Sequence, residues 1–197
     1  MEVRVAIVAQ RVALFGTHFS AQLQTRSSPT AAWTGASASY LQQNGVDRGT
    51  FWHNGVEYNG HISKIDFGGD ILPMHGRLSR ISGIDEDSWW TPVFGTDRTV
   101  VLAGDNSITG FTQADAARVF NQLNRAADDV SANLLSNDVE YGIFDQNSTF
   151  GLNNAIALGL EYLGINVTTS TVQSWFNYTA GSNWAPGLGS GLTTRKA

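Results

Sequence analysis

The chain of 197 residues contains no cysteine. This absence excludes a disulfide framework, a thiolate nucleophile and every zinc or iron–sulfur site that depends on cysteine ligands. Charged residues are also scarce: Asp, Glu, Lys and Arg make up 15% of the chain, and the formal net charge is −5. Because the sequence has no block of basic residues, we expect no nucleic-acid partner and no binding to anionic membrane surfaces.

Long apolar runs are missing as well. The chain starts with Met1-Glu2-Val3-Arg4 and has neither a charged leader segment nor an apolar segment behind it. The sequence therefore predicts no signal peptide and no membrane span. What it does contain is 42% hydrophobic residues, with six Trp, ten Phe and 21 Gly. This composition is typical of a globular protein. We expect one domain over 1–178 and a Gly/Ser-rich C-terminal arm over 179–197.

The first half of the chain carries strand signals. Apolar side chains alternate along 3–8, and a second strand is predicted over 12–23,. A further strand is expected over 30–40, ending in the turn-rich segment 42–49. Gly, Asp and Pro recur every few residues over 50–95, which predicts short strands and long loops.

The second half predicts two helices. In the first, Thr112 precedes Asp115 by three residues, as in a capping box, and Phe120, Leu123 and Val130 follow at spacings typical of a helix face,. We therefore predict a helix over 112–135 whose apolar face contacts the core.

The second helix is expected over 148–163. Asn147 or Ser148 can cap its start, and Gly164 suits its C-terminal end,. The strand-like segments 99–103 and 139–144 precede the two helices. The fold class predicted is α+β, a mainly antiparallel β-sheet with two packed helices.

Metal and cofactor sites have little support in the sequence. The only cluster of potential metal ligands is His53 and His61 with Asp66 or Asp70, and exposed loop histidines explain it better,. The Gly-rich segment 187–191 lacks the flanking strand and helix of a phosphate-binding loop or of a nucleophile elbow. We therefore expect no cofactor and no metal.

The segment around Ser148 predicts catalytic chemistry. The strand 139–144 leads through Asp145 into Asn147 and Ser148 at the start of a helix. Free backbone N–H groups and the positive end of a helix dipole stabilise an oxyanion at such a place. Ser148 is thus a candidate nucleophile, Asn147 a candidate positioning residue, and His18 on the second strand the candidate general base.

This order of residues resembles the circularly permuted papain-like enzymes. These include relatives of lecithin:retinol acyltransferase and bacterial toxin-associated domains in which Ser replaces the usual Cys. The resemblance rests on His18, Tyr141, Asn147, Ser148, Phe150 and Gly164. It implies a hydrolase or acyltransferase acting on an amide or ester bond, within a secreted bacterial protein. It further implies that the His18 imidazole and the Ser148 hydroxyl come within one water's reach, and that Ser148 borders a cavity.

The chain also departs from that family. Ser148 stands where the family has Cys, and one residue is missing between Ser148 and Phe150. A serine hydroxyl needs a base to become an effective nucleophile. No carboxylate that would orient His18 can be assigned, because the adjoining strand offers only Thr34, Ser37 and Ser39.

The residues also allow an alternative to the catalytic interpretation. Ser148 can serve as a helix cap and His18 as a half-buried strand residue. The chain would then be an inactive binding or scaffold module, with exposed Trp and Tyr side chains contacting a sugar or a protein partner. The six tryptophans available for such contacts are Trp33, Trp52, Trp89, Trp90, Trp175 and Trp184.

Overall fold

The structure, a computed structural model, describes residues 1–12, 16–71, 75–81, 90–92, 99–141 and 147–180. The strands in these ranges are β1 (Glu2–Val12), β2 (Gly16–Arg26), β3 (Thr34–Gly35), β4 (Gly49–His53), β5 (Val56–Gly60), β6 (Lys64–Ile71), β7 (His75–Ile81), β8 (Trp90–Pro92) and β9 (Val100–Ala103). The α-helices are α1 (Ala38–Gln43), α2 (Ala116–Ser136), α3 (Asn147–Tyr162) and α4 (Thr169–Ala180). The predicted α+β class is confirmed. None of the described helices has the length and apolar character needed to span a membrane.

One mixed sheet contains all the described strands. Its order is β5-β4-β7-β6-β2-β1-β8, with β3 beside β2 and β9 beside β1. The long hairpin of β1 and β2 forms its centre, in unbroken register from the pair Glu2–Arg26 to the pair Val12–Gly16. All pairings are antiparallel except that of β4 with β7. The predicted mainly antiparallel sheet is therefore present.

The two faces of the sheet differ in chemistry. One face is apolar and is covered by helices: the rings of Phe19 on β2 and Phe176 on α4 lie 4.9 Å apart. The opposite face is polar, because side chains alternate along a strand. The central hairpin and β6 place on it the side chains of Arg4, His18, Ser20, Gln22, Gln24, Lys64 and Asp66.

Helix α2 confirms the predicted long helix. A short 3₁₀ turn, Gln113–Asp115, precedes it, and the Asp115 carboxylate accepts hydrogen bonds from the backbone N–H and the hydroxyl of Thr112. Phe120 and Leu123 are buried in the core, and Val130 is half-buried against it. The local capping and spacing signals therefore placed this helix correctly.

Helix α3 matches the second predicted helix to within one residue at each end. Gly164 follows it with φ of 80°, a conformation that glycine adopts without strain,. Two glycines allow close packing along its length. A Cβ at Gly151 would lie 2.6 Å from the ring of Phe67 on β6, and one at Gly159 would lie 2.7 Å from Leu123 on α2. These glycines thus fix α3 against β6 and α2.

The strand predicted over 30–40 is wrong. Only the two residues of β3 are extended, and helix α1 follows. Ser37 caps that helix by accepting a hydrogen bond from the Tyr40 backbone N–H, and Leu41 is buried. A capping serine and one buried leucine are enough for a short helix here, because tertiary packing of Leu41 stabilises it.

The number of helices is also larger than the two predicted. Helix α4 was not predicted: its Val172 and Phe176, four residues apart, are both buried against the core,. In the predicted strand 139–144, Glu140 forms an isolated bridge with Arg77, and residues 142–144 lie outside the described part. Residues 181–197 of the predicted arm also lie outside it.

Candidate functional site

A buried histidine–carboxylate pair lies at the centre of the polar face. The Nε2 of His18 on β2 hydrogen-bonds Oδ1 of Asp66 on β6. Asp66 is fully buried and His18 is 7% exposed. The Nζ of Lys64 lies 3.3 Å from the other oxygen of Asp66. One carboxylate therefore pairs with both an imidazole and an ammonium group.

The charges around Asp66 decide its ionisation. Burial raises the pKa of its carboxyl, but the His18 and Lys64 charges and their hydrogen bonds outweigh burial, and the net pKa lies below the ordinary value,. Asp66 is therefore ionised at neutral pH and can only accept hydrogen bonds. The His18 Nε2 therefore donates its proton to the Asp66 carboxylate,.

A row of hydrogen-bonded side chains extends from this pair along β2. The Arg4 Nε donates to Gln24 at 2.8 Å, Gln24 donates to Gln22 at 2.9 Å, and Gln22 donates to the Ser20 hydroxyl at 2.9 Å. Ser20 and Gln24 are buried. Because each polar side chain has a partner, the row tolerates burial and orders the face on which His18 lies.

Asn147 and Ser148 are the first two residues of α3, so the backbone of Ser148 lies in the first helical turn. Their side chains lie outside the described part of the structure. The contact of Gly151 with Phe67 brings the start of α3 to the strand residue next to Asp66. However, Phe67 and Asp66 point to opposite faces of the sheet. A group on the first turn of α3 can therefore reach His18 only around the start of β2. That strand begins at Gly16, two residues before His18.

The approach of the His18 imidazole to the Ser148 hydroxyl within one water's reach accordingly stays a prediction. The cavity beside Ser148 also stays a prediction.

Among the side chains that the structure describes, the other histidines do not assemble a site. The Nε2 of His53 lies 3.3 Å from the Asn54 side-chain nitrogen, and His61 is half-buried. The side chain of His75 lies outside the described residues. Asp70 binds Arg77, so it is not shared with a histidine cluster. Within the described residues, no group of three possible metal ligands occurs.

Sequence reasoning missed Asp66 as the partner of His18. Thr34, Ser37 and Ser39, which were considered for that role, are all exposed. A signal was nevertheless present: Lys64 and Asp66 are charged residues two apart, interleaved with the apolar Ile65 and Phe67. Such a pattern places two charges on one face of a buried strand, where each needs a partner.

A second feature is a cavity of about 690 Å³ at the other end of the hairpin. It lies beside β1, β9 and α4. Its wall includes the half-buried Trp33 and Trp175 and the buried Arg4. The guanidinium carbons of Arg4 and Arg26 lie 4.2 and 4.5 Å from the centre of the Trp33 ring. This cavity combines aromatic surface with positive charge.

The tryptophans do not form an exposed row within the described residues. Trp33, Trp52 and Trp175 are half-buried, and the guanidinium of Arg77 lies 5.4 Å from the Trp52 ring centre. The side chains of Trp89, Trp90 and Trp184 lie outside the described part. Of the three tryptophans with described side chains, Trp33 and Trp175 line the cavity, and their predicted role in binding a sugar or a protein stays a prediction.

Comparisons with protein-family models, with curated proteins and with solved structures find no match to this chain. The resemblance to permuted papain-like enzymes therefore stays a prediction based on the residues that carry it.

Proposed function

We propose that the chain is a hydrolase or acyltransferase that acts on an amide or ester bond. Ser148 is the nucleophile, His18 the general base, and Asp66 the carboxylate that orients and stabilises the imidazole. The observation that carries the proposal is the buried pair of His18 and Asp66. It supplies the acidic partner that nucleophilic catalysis by serine requires.

The reaction follows from these roles. The His18 Nδ1 accepts the hydroxyl proton of Ser148 while the Ser148 Oγ attacks the substrate carbonyl carbon. Backbone N–H groups at the start of α3, with Asn147, stabilise the resulting oxyanion. The intermediate collapses when His18 returns the proton to the leaving amine or alcohol. Water or an acceptor alcohol or amine then attacks the acyl-enzyme and regenerates Ser148.

Asp66 acts on this cycle through charge and hydrogen bonding. Its ionised carboxylate holds the His18 Nε2 proton, which keeps Nδ1 as the basic nitrogen. It also stabilises the imidazolium that forms when His18 accepts the serine proton. The burial of the pair strengthens both effects, because water does not screen them.

The inactive binding module is the second candidate, and the cavity beside Trp175 favours it. In that case the pair of His18 and Asp66 would only stabilise the fold. The two candidates differ in whether the chain turns over an acyl substrate.

Hydrolysis of p-nitrophenyl acetate tests the proposal. We expect wild-type protein to hydrolyse it above the buffer rate, and Ser148→Ala to lose at least about 99% of that rate, since removal of the nucleophile leaves only weak background catalysis.

Ser170→Ala is the matched control for this substitution. Ser170 is the second residue of α4, as Ser148 is of α3, but it is exposed and distant in sequence from the site. It should retain the wild-type rate. Equal rates for wild type and Ser148→Ala would favour the binding module instead.

A further inference from the structure

Arg4 is a buried cation that has no carboxylate partner among the residues that the structure describes. It is 7% exposed, whereas the buried Arg80 binds Asp128 at 2.7 Å. Within the described residues, Arg4 makes one side-chain hydrogen bond, from Nε to the neutral amide of Gln24. Its two terminal nitrogens have no hydrogen-bond acceptor there.

The surroundings of Arg4 add positive rather than negative charge. Arg26 lies close enough to lower the pKa of Arg4 further, after burial itself, and that pKa falls to about 10. Arg26 is neutralised by Glu2, with which it forms an ion pair. Arg4 thus remains protonated at neutral pH, and within the described ranges its charge faces the Trp33 ring but pairs with no anion. A buried charge in this state is unfavourable unless an anion pairs with it.

Arg4 lines the cavity of about 690 Å³, which gives such an anion access. That volume is in the range of small-molecule sites. The apolar part of the wall includes Val101, Ile108 and Trp175, and polar groups of Asp105 and Gln113 also line it. Asp105 accepts a hydrogen bond from Gln113 at 3.1 Å, which orders this polar wall.

We propose that this cavity binds a small monocarboxylate whose ring lies against Val101 and Ile108, since Val101 is on the same face of the sheet as Arg4. The carboxylate pairs with the two terminal nitrogens of Arg4, which match it in geometry. A single negative charge suits the site better than a doubly charged phosphate, because Arg26 is already paired and Asp105 repels additional negative charge. The ring replaces water on the apolar wall.

This site is separate from the proposed catalytic residues. Arg4 pairs with Gln24 across the hairpin, whereas His18 pairs with Gln10. The six residue steps from Arg4 to Gln10 correspond to about 20 Å along the strand. Binding in the cavity therefore does not depend on the acyl-transfer proposal, and either can fail alone.

Calorimetric titration of the full chain tests the proposal with two pairs of probes. Benzoate is compared with benzamide, and glucuronate with glucose, so that the arms distinguish an aromatic ring from a sugar ring. We expect one of the carboxylates to bind at least about tenfold more tightly than its neutral counterpart. This preference should weaken as salt is added.

Variants then assign the binding to Arg4. Arg4→Gln should weaken carboxylate binding about tenfold or more, whereas Arg48→Gln, which removes an exposed arginine beside β5 at the opposite edge of the sheet, should bind as wild type,. Ile108→Ser, at an exposed residue of the cavity wall, should weaken binding of both the charged and the neutral member of the preferred pair. Ser148→Ala should bind as wild type.

Two results would overturn the proposal. One is that neither carboxylate binds more tightly than its neutral counterpart to wild-type protein. The other is that folded Arg4→Gln, checked by circular dichroism, binds the carboxylate as wild type does. If Arg4→Gln does not fold, the wild-type comparison and Ile108→Ser still decide the outcome.

Discussion

Asp66→Asn is expected to lower kcat for ester hydrolysis about 1,000- to 10,000-fold with little change in KM. The amide has the shape of the carboxylate but no charge, so it cannot stabilise the His18 imidazolium. Its NH₂ group can also donate to Nε2, which would move the imidazole proton to Nδ1 and remove the base. The measurement is the steady-state rate on p-nitrophenyl acetate, with folding checked by circular dichroism.

Asp70→Asn is the matched control. Asp70 is a second buried carboxylate on β6, and it binds Arg77 through both the backbone N–H and the guanidinium. Its replacement perturbs the same strand without touching His18. Loss of activity in both variants would mean that a general disturbance of β6, and not orientation of His18, explains the effect.

Asp66→Asn is also expected to change the acid stability of the fold. The folded pKa of Asp66 lies below its unfolded value, so its ionised form stabilises the fold at neutral pH,. That contribution is lost as the pH falls from about 5 towards and through the folded pKa. Asp66→Asn should therefore show a flatter decline in unfolding free energy over this acid range than wild type.

Asp128→Ala is expected to destabilise the fold by about 3–5 kcal/mol, because it leaves the buried Arg80 guanidinium without its counterion. Arg80 is fully buried between β7 and α2, and its Nη1 donates to Asp128 at 2.7 Å. Asp128 also accepts the Thr50 backbone N–H of β4 at 3.1 Å. One carboxylate thus connects α2 to two strands.

Thermal unfolding measures this effect. For a domain of this size, the expected loss corresponds to a fall in Tm of about 6–20 °C. Adding Arg80→Met to Asp128→Ala should restore much of the stability, since the methionine fills space without a charge. Arg118→Ala, which removes the exposed partner of Asp115 and leaves the Thr112–Asp115 cap in place, should leave Tm close to wild type,. A double variant less stable than Asp128→Ala would contradict this explanation.

Local signals explain what the sequence predicted well. The alternation along β1 and β2, the Thr112–Asp115 cap of α2 and the glycine after α3 each act within a few residues. Helix α4 was missed because its Val-Gln-Ser-Trp-Phe segment has side chains that also suit a strand. Only contact of Val172 and Phe176 with the core selects the helix.

The candidate site depends on long-range pairing, and this limited its prediction. His18 and Asp66 are 48 residues apart, and only the order of the sheet, with β6 beside β2, joins them. Their position on the polar face, opposite α3, follows from the register of the strands. The strand containing His18 and the helix containing Ser148 could be predicted locally, but their relative placement could not.

The most direct test of the account is covalent labelling with diisopropyl fluorophosphate, because it needs no knowledge of the substrate. The Ser148 Oγ would form a bond to phosphorus, fluoride would leave, and His18 would accept the hydroxyl proton. Peptide mass spectrometry should place one diisopropylphosphoryl group on Ser148 in wild-type protein, and none in folded His18→Ala. Absence of this label from the wild-type protein, or equal labelling of Ser148 in His18→Ala, would contradict the proposed catalysis.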